Sequence, residues 1–188
     1  MSLFEKALQF ALIAHRGQTR KGSNAPYLLH PMEAATIVAS MTDNEEVIAA
    51  ALLHDTVEDT DTTIEEIEEE FGPYITKLVA SETEDKRKDR PESETWKERK
   101  AESLKVLMET DDLNIKKLWL GDKLSNMRAF YRLYQKYGND LWNHFNQKNP
   151  KEQKWYYETI EAALVDLEGE AALQEYSVLL TMVFKDVN

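Results

Sequence analysis

Apolar residues recur every three to four positions along almost the entire chain, as on one face of an amphipathic α-helix. The first such stretch contains Leu3, Phe4, Ala7, Leu8, Ala11 and Ala14. The same pattern predicts further helices over residues 31–41, 47–53, 62–72, 74–80, 95–108, 112–137, 151–167 and 170–184. Two polar stretches interrupt it, at 17–27 and 82–94. We expect the second to form a mobile surface loop, because it is highly charged and contains Pro91.

The composition also favours helices over strands. The 188 residues include only 6 Gly and 5 Pro, about half the usual share, and so few backbone breakers disfavour an all-β protein with many tight turns. Hydrophobic residues make up 42% of the chain, which is enough for a sizeable core. The sequence therefore predicts a single all-α domain of about eight to ten helices. We expect this domain to span residues 1–188, with its motif-bearing part at about 1–135 and C-terminal helices at 150–184 packed on that part.

Several classes of protein are excluded by what the sequence lacks. It has no Cys, which removes disulfides, thiolate nucleophiles and zinc–cysteine sites. It offers no run of 18 apolar residues for a transmembrane span, and its N-terminus lacks the apolar core of an export signal. We therefore expect a cytoplasmic protein with no membrane partner.

The charge balance restricts the ligand. The chain has 23 basic and 35 acidic residues, a net charge of −12, so as a whole it repels nucleic acid and anionic membranes. Residues 43–70 contain twelve carboxylates and no Lys or Arg. An anionic small molecule would bind only where basic residues or a metal ion locally reverse the sign of the potential.

One acidic segment carries candidate chemistry. His54, Asp55, Glu58 and Asp59 follow the apolar run 47–53 and would share one face of a helix. Three carboxylates this close repel one another unless a cation or protons intervene. An exposed acidic helix end would give a similar pattern. The position directly after an apolar run instead favours a cleft at the edge of the core.

A metal site needs further ligands from elsewhere in the chain. His30 precedes Pro31 at the predicted start of a helix, where it could also be a capping or core histidine. Asp122 lies in an apolar helix, where burial of an acid is costly, although pairing with Lys123 or Arg128 would also account for it. The complete set would supply two neutral nitrogens and two anionic oxygens, which suits manganese, iron or zinc. Its four members are His30, His54, Asp55 and Asp122.

Five segments, taken in order, resemble the HD-domain metal phosphohydrolases. Within that superfamily they are most similar to the hydrolase domain of the bifunctional RelA/SpoT-type alarmone enzymes, which act on guanosine tetraphosphate, and to the small hydrolase-only relatives of these enzymes. The segments are Ala14-His-Arg-Gly-Gln-Thr-Arg-Lys21, Pro26-Tyr-Leu-Leu-His-Pro31, Ala51-Leu-Leu-His-Asp-Thr-Val-Glu-Asp-Thr60, Phe71-Gly72 and Gly121-Asp-Lys-Leu-Ser-Asn-Met127. A His-Asp pair alone is weak evidence, but five ordered segments are specific.

The resemblance implies a function and a role for each matching residue. The family removes pyrophosphate from the 3′ position of the nucleotide, usually with manganese. Glu58 and Asp59 match the acidic pair that orients or activates the attacking water. The residues that match the metal ligands are His30, His54, Asp55 and Asp122.

The resemblance also implies a substrate site. Arg20 and Lys21 match the basic pair beside the base and ribose, and Asn126 matches a residue near the sugar. Lys97, in a basic segment at the start of a predicted helix, could approach a distal phosphate, but a solvated helix face would explain it equally well. The chain carries no sign of the family's synthetase or regulatory domains.

The sequence departs from the family at three places. Lys123 replaces the Arg that commonly follows the metal-binding Asp, Ala129 stands where the larger enzymes often have Thr, and 81–86 replaces a Gly-Val-Thr motif. These changes bear on substrate recognition more than on the metal. The leading prediction is a manganese-dependent alarmone 3′-pyrophosphohydrolase. The alternatives are a phosphohydrolase for another nucleotide or a non-catalytic nucleotide-sensing module, and the oligomeric state is left open.

Overall fold

The computed structural model describes residues 1–87 and 89–187; Lys88, within the predicted loop, and Asn188 lie outside the described residues. The described chain is all-α, as predicted, with nine α-helices, two 3-10 helices and no strand. The α-helices are α1 (Leu3–Ala14), α2 (Leu29–Ala39), α3 (Glu45–Leu53), α4 (Thr56–Asp59), α5 (Ile64–Ala80), α6 (Glu92–Glu109), α7 (Leu113–Tyr137), α8 (Pro150–Ala163) and α9 (Ala171–Phe184). The 3-10 helices span Gly138–His144 and Val165–Leu167.

Helix α5 begins and bends where local chemistry dictates. Thr63 and Glu66 form a reciprocal capping box, one residue beyond the predicted start. Gly72 then adopts a φ of 81°, a left-handed conformation that favours glycine, and Pro73 follows it. The interruption expected from this Gly-Pro pair is therefore a kink between two helical segments.

The prediction of one continuous helix from the apolar run through Asp59 is wrong. Helix α3 ends at Leu53, and the four-residue α4 begins at Thr56. His54 Nδ1 lies 2.8 Å from the Ala51 carbonyl oxygen, and the Thr56 hydroxyl donates to the Leu53 carbonyl over 2.7 Å. These side chains bond to carbonyls that would accept backbone N–H groups in a continuous helix. The chain consequently turns at the two residues predicted to bind metal.

The loop expected over 82–94 is observed at residues 82–87 and 89–91, but part of it is buried and it ends earlier than predicted. Glu82 is buried, and α6 already begins at Glu92. The Glu84 carboxylate pairs with Arg99 over 2.8 Å and with Lys100 over 2.6 Å, and its side chain is only 5% exposed. The charge of Glu84 is therefore balanced by helix α6 rather than by solvent.

Helices α2, α3 and α7 pack together and position the candidate site. A Cβ atom at Gly121 would lie 2.6 Å from Val38 Cγ2 and 2.9 Å from the Ala34 carbonyl oxygen, so glycine allows α7 to approach α2 closely. Helix α9 packs on α7, and α1 packs on α3. One buried cluster includes residues from α1 to α9. Within the described residues, no helix combines the length and apolar character needed to cross a membrane.

Candidate functional site

The four residues predicted to bind metal come together in the structure. His30 Nε2 lies 3.0 Å from Asp122 Oδ1 and 3.4 Å from Asp55 Oδ2. His54 Nε2 lies 3.1 Å from Asp55 Oδ2 and 3.6 Å from Asp122 Oδ1. One donor atom from each of His30, His54 and Asp122 falls within 4.8 Å of the others. Helices α2 and α7 and the turn after α3 supply this cluster.

Hydrogen bonding on the far side of His30 selects its tautomer. Its Nδ1 lies 2.8 Å from Ser125 Oγ, and that hydroxyl donates to the Glu33 carboxylate over 2.7 Å. Because the hydroxyl hydrogen is directed at Glu33, Ser125 Oγ accepts from a protonated Nδ1. The unprotonated Nε2 of His30 then faces the cluster, as a metal-ligating histidine requires.

A hydrogen bond also selects the tautomer of His54. Its Nδ1 faces the Ala51 carbonyl, which only accepts, so Nδ1 carries the hydrogen. Its Nε2 is fully buried and has no hydrogen-bond partner among the residues that the structure describes. A buried, unpartnered imidazole nitrogen between two carboxylates requires a cation or a proton. The donor set therefore fits a divalent metal ion.

The electrostatics of the cluster agree with this fit. Burial disfavours a charged His54, but the Asp55 and Asp122 carboxylates outweigh it and raise the pKa of His54 well above its usual value. Burial would likewise raise the pKa of Asp55, but His54 and His30 hold it well below its usual range. The cluster thus stabilises anionic oxygen ligands and attracts positive charge.

Glu58 and Asp59 lie together beside the metal cluster, where they contact Glu84 and Lys86. The Lys86 ammonium donates to Asp59 Oδ1 and lies 3.6 Å from Glu58 Oε1. The backbone N–H of Glu84 donates to Glu58 Oε2 over 3.3 Å. Burial raises the pKa of Glu58 to about 7, which suits a group that exchanges protons near neutral pH.

A cleft of about 620 Å³ opens at this carboxylate pair, and both carboxylates line it. Arg20, Lys21 and Asn126, predicted to contact the nucleotide, line the same cleft. Arg20 Nη2 donates to Asn126 Oδ1 over 2.8 Å, and Asn126 Nδ2 donates to Asp122 Oδ1 over 2.6 Å. The predicted substrate side and the metal cluster are therefore connected through Asn126.

The structure does not bring Lys97 into the cleft. Its side chain is 64% exposed and pairs with Glu152 at 3.0 Å. Three other lysines line the cleft instead, namely Lys86, Lys100 and Lys123.

Sequence reasoning assigned no role to several residues of this site. Tyr27 lies within the segment that contains His30, and its hydroxyl donates to Asp55 and Asp59. Lys86 and Ser125 contact the predicted catalytic pair and His30, respectively. Tyr27 could have been noticed because it precedes His30 by three residues. Lys86 and Asp59 are 27 positions apart, so no local sequence pattern predicts their contact.

Glu82 is a buried carboxyl near the site whose charged form is unfavourable. Its side chain is 2% exposed, Lys123 Nζ lies 4.0 Å away, and burial raises its pKa to about 8. The folded protein therefore holds a proton that the unfolded chain releases near its ordinary pKa of 4.5. Between these two values the unfolded state binds fewer protons, so stability falls as pH rises.

Glu82→Gln should therefore stabilise the metal-free protein at pH 8 and leave its stability at pH 5 nearly unchanged. The gain at pH 8 should reach a few kcal/mol, at about 1.4 kcal/mol for each unit of pKa shift. Thermal unfolding of both proteins in a chelator, at the two pH values, measures this difference. An equal effect at pH 5 and pH 8 would contradict a proton held by Glu82.

The family model for the HD domain matches residues 7–150. The chain belongs to the HD-domain family. Two curated relatives are similar over this part of the chain. A putative GTP diphosphokinase RSH1, chloroplastic, of Arabidopsis thaliana is 41% identical over 136 residues, which cover 69% of this chain and 15% of that protein.

The second relative is the GTP pyrophosphokinase rsh of Brucella melitensis biotype 1. It is 42% identical over 130 residues, which cover 68% of this chain and 17% of that protein. This HD-domain chain thus spans less than a fifth of the length of these two relatives.

Two solved structures resemble the whole fold. One is described as a metazoan ortholog of SpoT that hydrolyzes ppGpp and plays a role in starvation responses. It is 28% identical with a TM-score of 0.73, covering 99% of this chain and 96% of that one. The other, from Listeria monocytogenes EGD-e, is 35% identical with a TM-score of 0.70, covering 85% and 96% of the two chains.

Proposed function

We propose that this HD-domain chain is a metal-dependent hydrolase that removes pyrophosphate from the 3′ position of guanosine 3′,5′-bis(diphosphate). The metal cluster beside a carboxylate pair in a nucleotide-sized cleft is the observation that carries the proposal. The likeness to the metazoan ppGpp hydrolase, over 99% of this chain, supports the choice of substrate. The kinase names belong to relatives of which this chain spans a small part.

We further propose that the metal is manganese and that His30, His54, Asp55 and Asp122 hold it. Two carboxylate oxygens balance the formal charge of a divalent ion, and two imidazole nitrogens suit a transition metal. When bound, such an ion polarises a phosphoryl oxygen and acidifies water. Ser125 and Ala51 keep the two imidazoles in the tautomer that this role requires.

The carboxylate pair performs the proton transfer in this proposal. Glu58 accepts a proton from the attacking water, because its burial in the cleft raises its pKa into the range of an effective base. The bond between the water oxygen and phosphorus forms as the bond from phosphorus to the ribose 3′ oxygen breaks. The ribose oxygen takes up the proton that Glu58 accepted, and guanosine 5′-diphosphate and pyrophosphate are released. Asp59, held by Lys86 on one oxygen, orients the water.

The remaining features of the proposal concern the nucleotide and its setting. Arg20 and Lys21 bind the base and ribose side of the nucleotide, with Asn126 nearby. The ligand is a small nucleotide rather than nucleic acid. The chain forms one catalytic domain. It acts in the cytoplasm, in the stringent response. The net charge of −12 supports a small ligand, since the cleft gathers basic side chains in an otherwise acidic chain.

A release assay over a panel of nucleotides tests the function. With manganese, the protein should release pyrophosphate from guanosine 3′,5′-bis(diphosphate), and a chelator should stop the reaction. If only a different nucleotide releases phosphate, the assigned substrate is wrong but the chain is still a hydrolase. Nucleotide binding without any turnover would favour the sensing module.

Replacing Arg20 and Lys21 together with Ala should raise the Michaelis constant at least about tenfold and leave the metal content unchanged. Each charged hydrogen bond that is lost costs about 1.5–3 kcal/mol, and neither side chain belongs to the metal cluster. Steady-state kinetics and elemental analysis measure the two effects. Lys97→Ala, outside the cleft, is the matched control. An unchanged Michaelis constant in the double variant would place the nucleotide elsewhere.

A further inference from the structure

One tyrosine hydroxyl contacts both the metal cluster and the carboxylate pair. Tyr27 Oη lies 2.5 Å from Asp55 Oδ2 and 3.0 Å from Asp59 Oδ2. A phenol carries a single hydrogen, so it donates to one of these oxygens at a time or shares the hydrogen between them. The ordinary pKa of a tyrosine hydroxyl is about 10, so near neutral pH it keeps its hydrogen and remains a donor.

The tyrosine is held in place from several sides. Its backbone N–H donates to the Gln18 carbonyl over 2.9 Å, and the Gln18 side chain donates to the Asp59 carbonyl over 2.8 Å. The ring lies 4.8 Å from the buried His15 ring, and the Arg20 guanidinium lies 5.5 Å over its face. The contacts of Gln18 fix the position of the Tyr27 hydroxyl relative to α4. The Tyr27 ring in turn packs against the Arg20 guanidinium.

Two acidic groups with different proposed roles depend on this hydroxyl. Asp55 is a proposed metal ligand, and the same oxygen that contacts Tyr27 faces the Nε2 atoms of His30 and His54. Asp59 has Lys86 on Oδ1, so Tyr27 is the donor to its other oxygen. Without the hydroxyl, Asp55 and Asp59 would face each other as like charges in a partly buried site.

We propose that Tyr27 is a positioning residue that couples the metal ligand Asp55 to the water-orienting Asp59 through its single hydroxyl hydrogen. Its ring has a separable task, which is to support the Arg20 guanidinium on the substrate side. This inference rests on the proposed function for the roles of Asp55 and Asp59. It predicts that removal of the hydroxyl affects turnover and metal affinity, whereas removal of the ring also affects substrate binding.

Tyr27→Phe removes the hydroxyl and keeps the ring. At saturating manganese, kcat should fall about 10- to 100-fold while KM stays within about twofold, since groups that orient ligands typically contribute this much. Tyr27→Leu should lower kcat similarly and also raise KM. Tyr134→Phe is the matched control, because Tyr134 donates to Asp186 over 2.7 Å in an exposed pair outside the cleft. Wild-type kcat in Tyr27→Phe would overturn the proposal.

A double-mutant cycle separates positioning from a general structural role. At saturating manganese, where the contact with Asp55 does not limit the amount of bound metal, Tyr27→Phe in an Asp59→Asn background should lower kcat by less than about twofold further. Asp59, the group that Tyr27 positions for turnover, is already altered in that background. A full additional 10- to 100-fold loss would show that Tyr27 acts elsewhere and would overturn the proposal. Circular dichroism melting of each variant sets the temperature at which all of them are folded.

Manganese binding, measured without nucleotide, distinguishes failure of this inference from failure of the proposed function. By calorimetry, Tyr27→Phe should bind manganese at least about threefold more weakly than Tyr134→Phe, because Asp55 loses its orienting donor. If the wild-type protein hydrolyses no nucleotide, the proposed function fails while this binding difference still tests the link to Asp55. Equal affinities in the two variants would overturn the inference even in an active hydrolase.

Discussion

Replacing His54 with Ala should abolish stoichiometric manganese binding and reduce pyrophosphate release to background, while the helical fold survives. Its buried Nε2 is a proposed metal ligand that faces both Asp55 and Asp122, so its loss removes one of the two imidazole nitrogens, His54 and His30, that lie between these carboxylates. The apolar side chains behind it, Leu52 and Leu53, still pack in the core. Removal of one ligand from a metal site of this type disrupts binding outright, because the remaining donors no longer complete the coordination.

Elemental analysis after gel filtration measures the metal, and circular dichroism measures the helix content. His144→Ala is the matched control, since His144 is exposed and contacts the Tyr137 ring rather than the cluster. That control should bind manganese at the wild-type stoichiometry. Wild-type metal content in the His54→Ala protein would refute the assigned ligand set.

The helices could be predicted from the sequence because their apolar spacing is local. Helix α7 was expected over 112–137 and is observed over Leu113–Tyr137, with Asp112 as its N-cap. The break between α3 and α4 could not be predicted in this way. It arises because the His54 and Thr56 side chains bond to backbone carbonyls, and helical periodicity carries no information on such bonds.

The sequence predicted some parts of the candidate site and not others, because contacts between distant residues leave no local pattern. The proposed ligands lie far apart in the sequence. The residue types allowed His30 and Asp122 to be grouped with the His54 segment as a possible metal set, and the resemblance to a family supported that grouping. Residues 82–94 were expected to form a mobile surface loop because charged stretches usually do. The burial of Glu84 was not predicted, because it depends on pairing with Arg99 and Lys100 across 15 and 16 positions, which has no sequence signal.

Of the two lysines Lys97 and Lys100 on α6, the sequence alone does not show which one lines the cleft. Trp96 is buried, and a residue four positions later projects about 40° from it around a helix, whereas the next residue projects about 100° away. Lys100 therefore shares the buried side of α6 and lines the cleft, while Lys97 points to solvent. Helical geometry favours Lys100 once Trp96 is known to be buried, and that burial comes from the structure.

Replacing Glu58 with Gln should lower kcat at least about 100-fold and leave manganese binding intact. Gln keeps the side-chain volume and the oxygen that accepts the Glu84 N–H, but it takes no proton from water, and general-base catalysis contributes about 10²–10⁴-fold. The Michaelis constant should change little, because the lost interaction belongs to the transition state rather than to substrate binding.

The assay pairs steady-state kinetics with a manganese titration, and Glu69→Gln, an exposed change on α5, is the matched control. Retained metal with lost turnover would separate Glu58 from the ligands His54 and Asp55, although it follows Asp55 by only three residues. That separation is physically reasonable because the turn after α3 directs His54 and Asp55 into the cluster, whereas α4 places Glu58 at the cleft against Lys86. Loss of manganese from Glu58→Gln would make it a metal-binding group, and the proton transfer would then have to be assigned to Asp59.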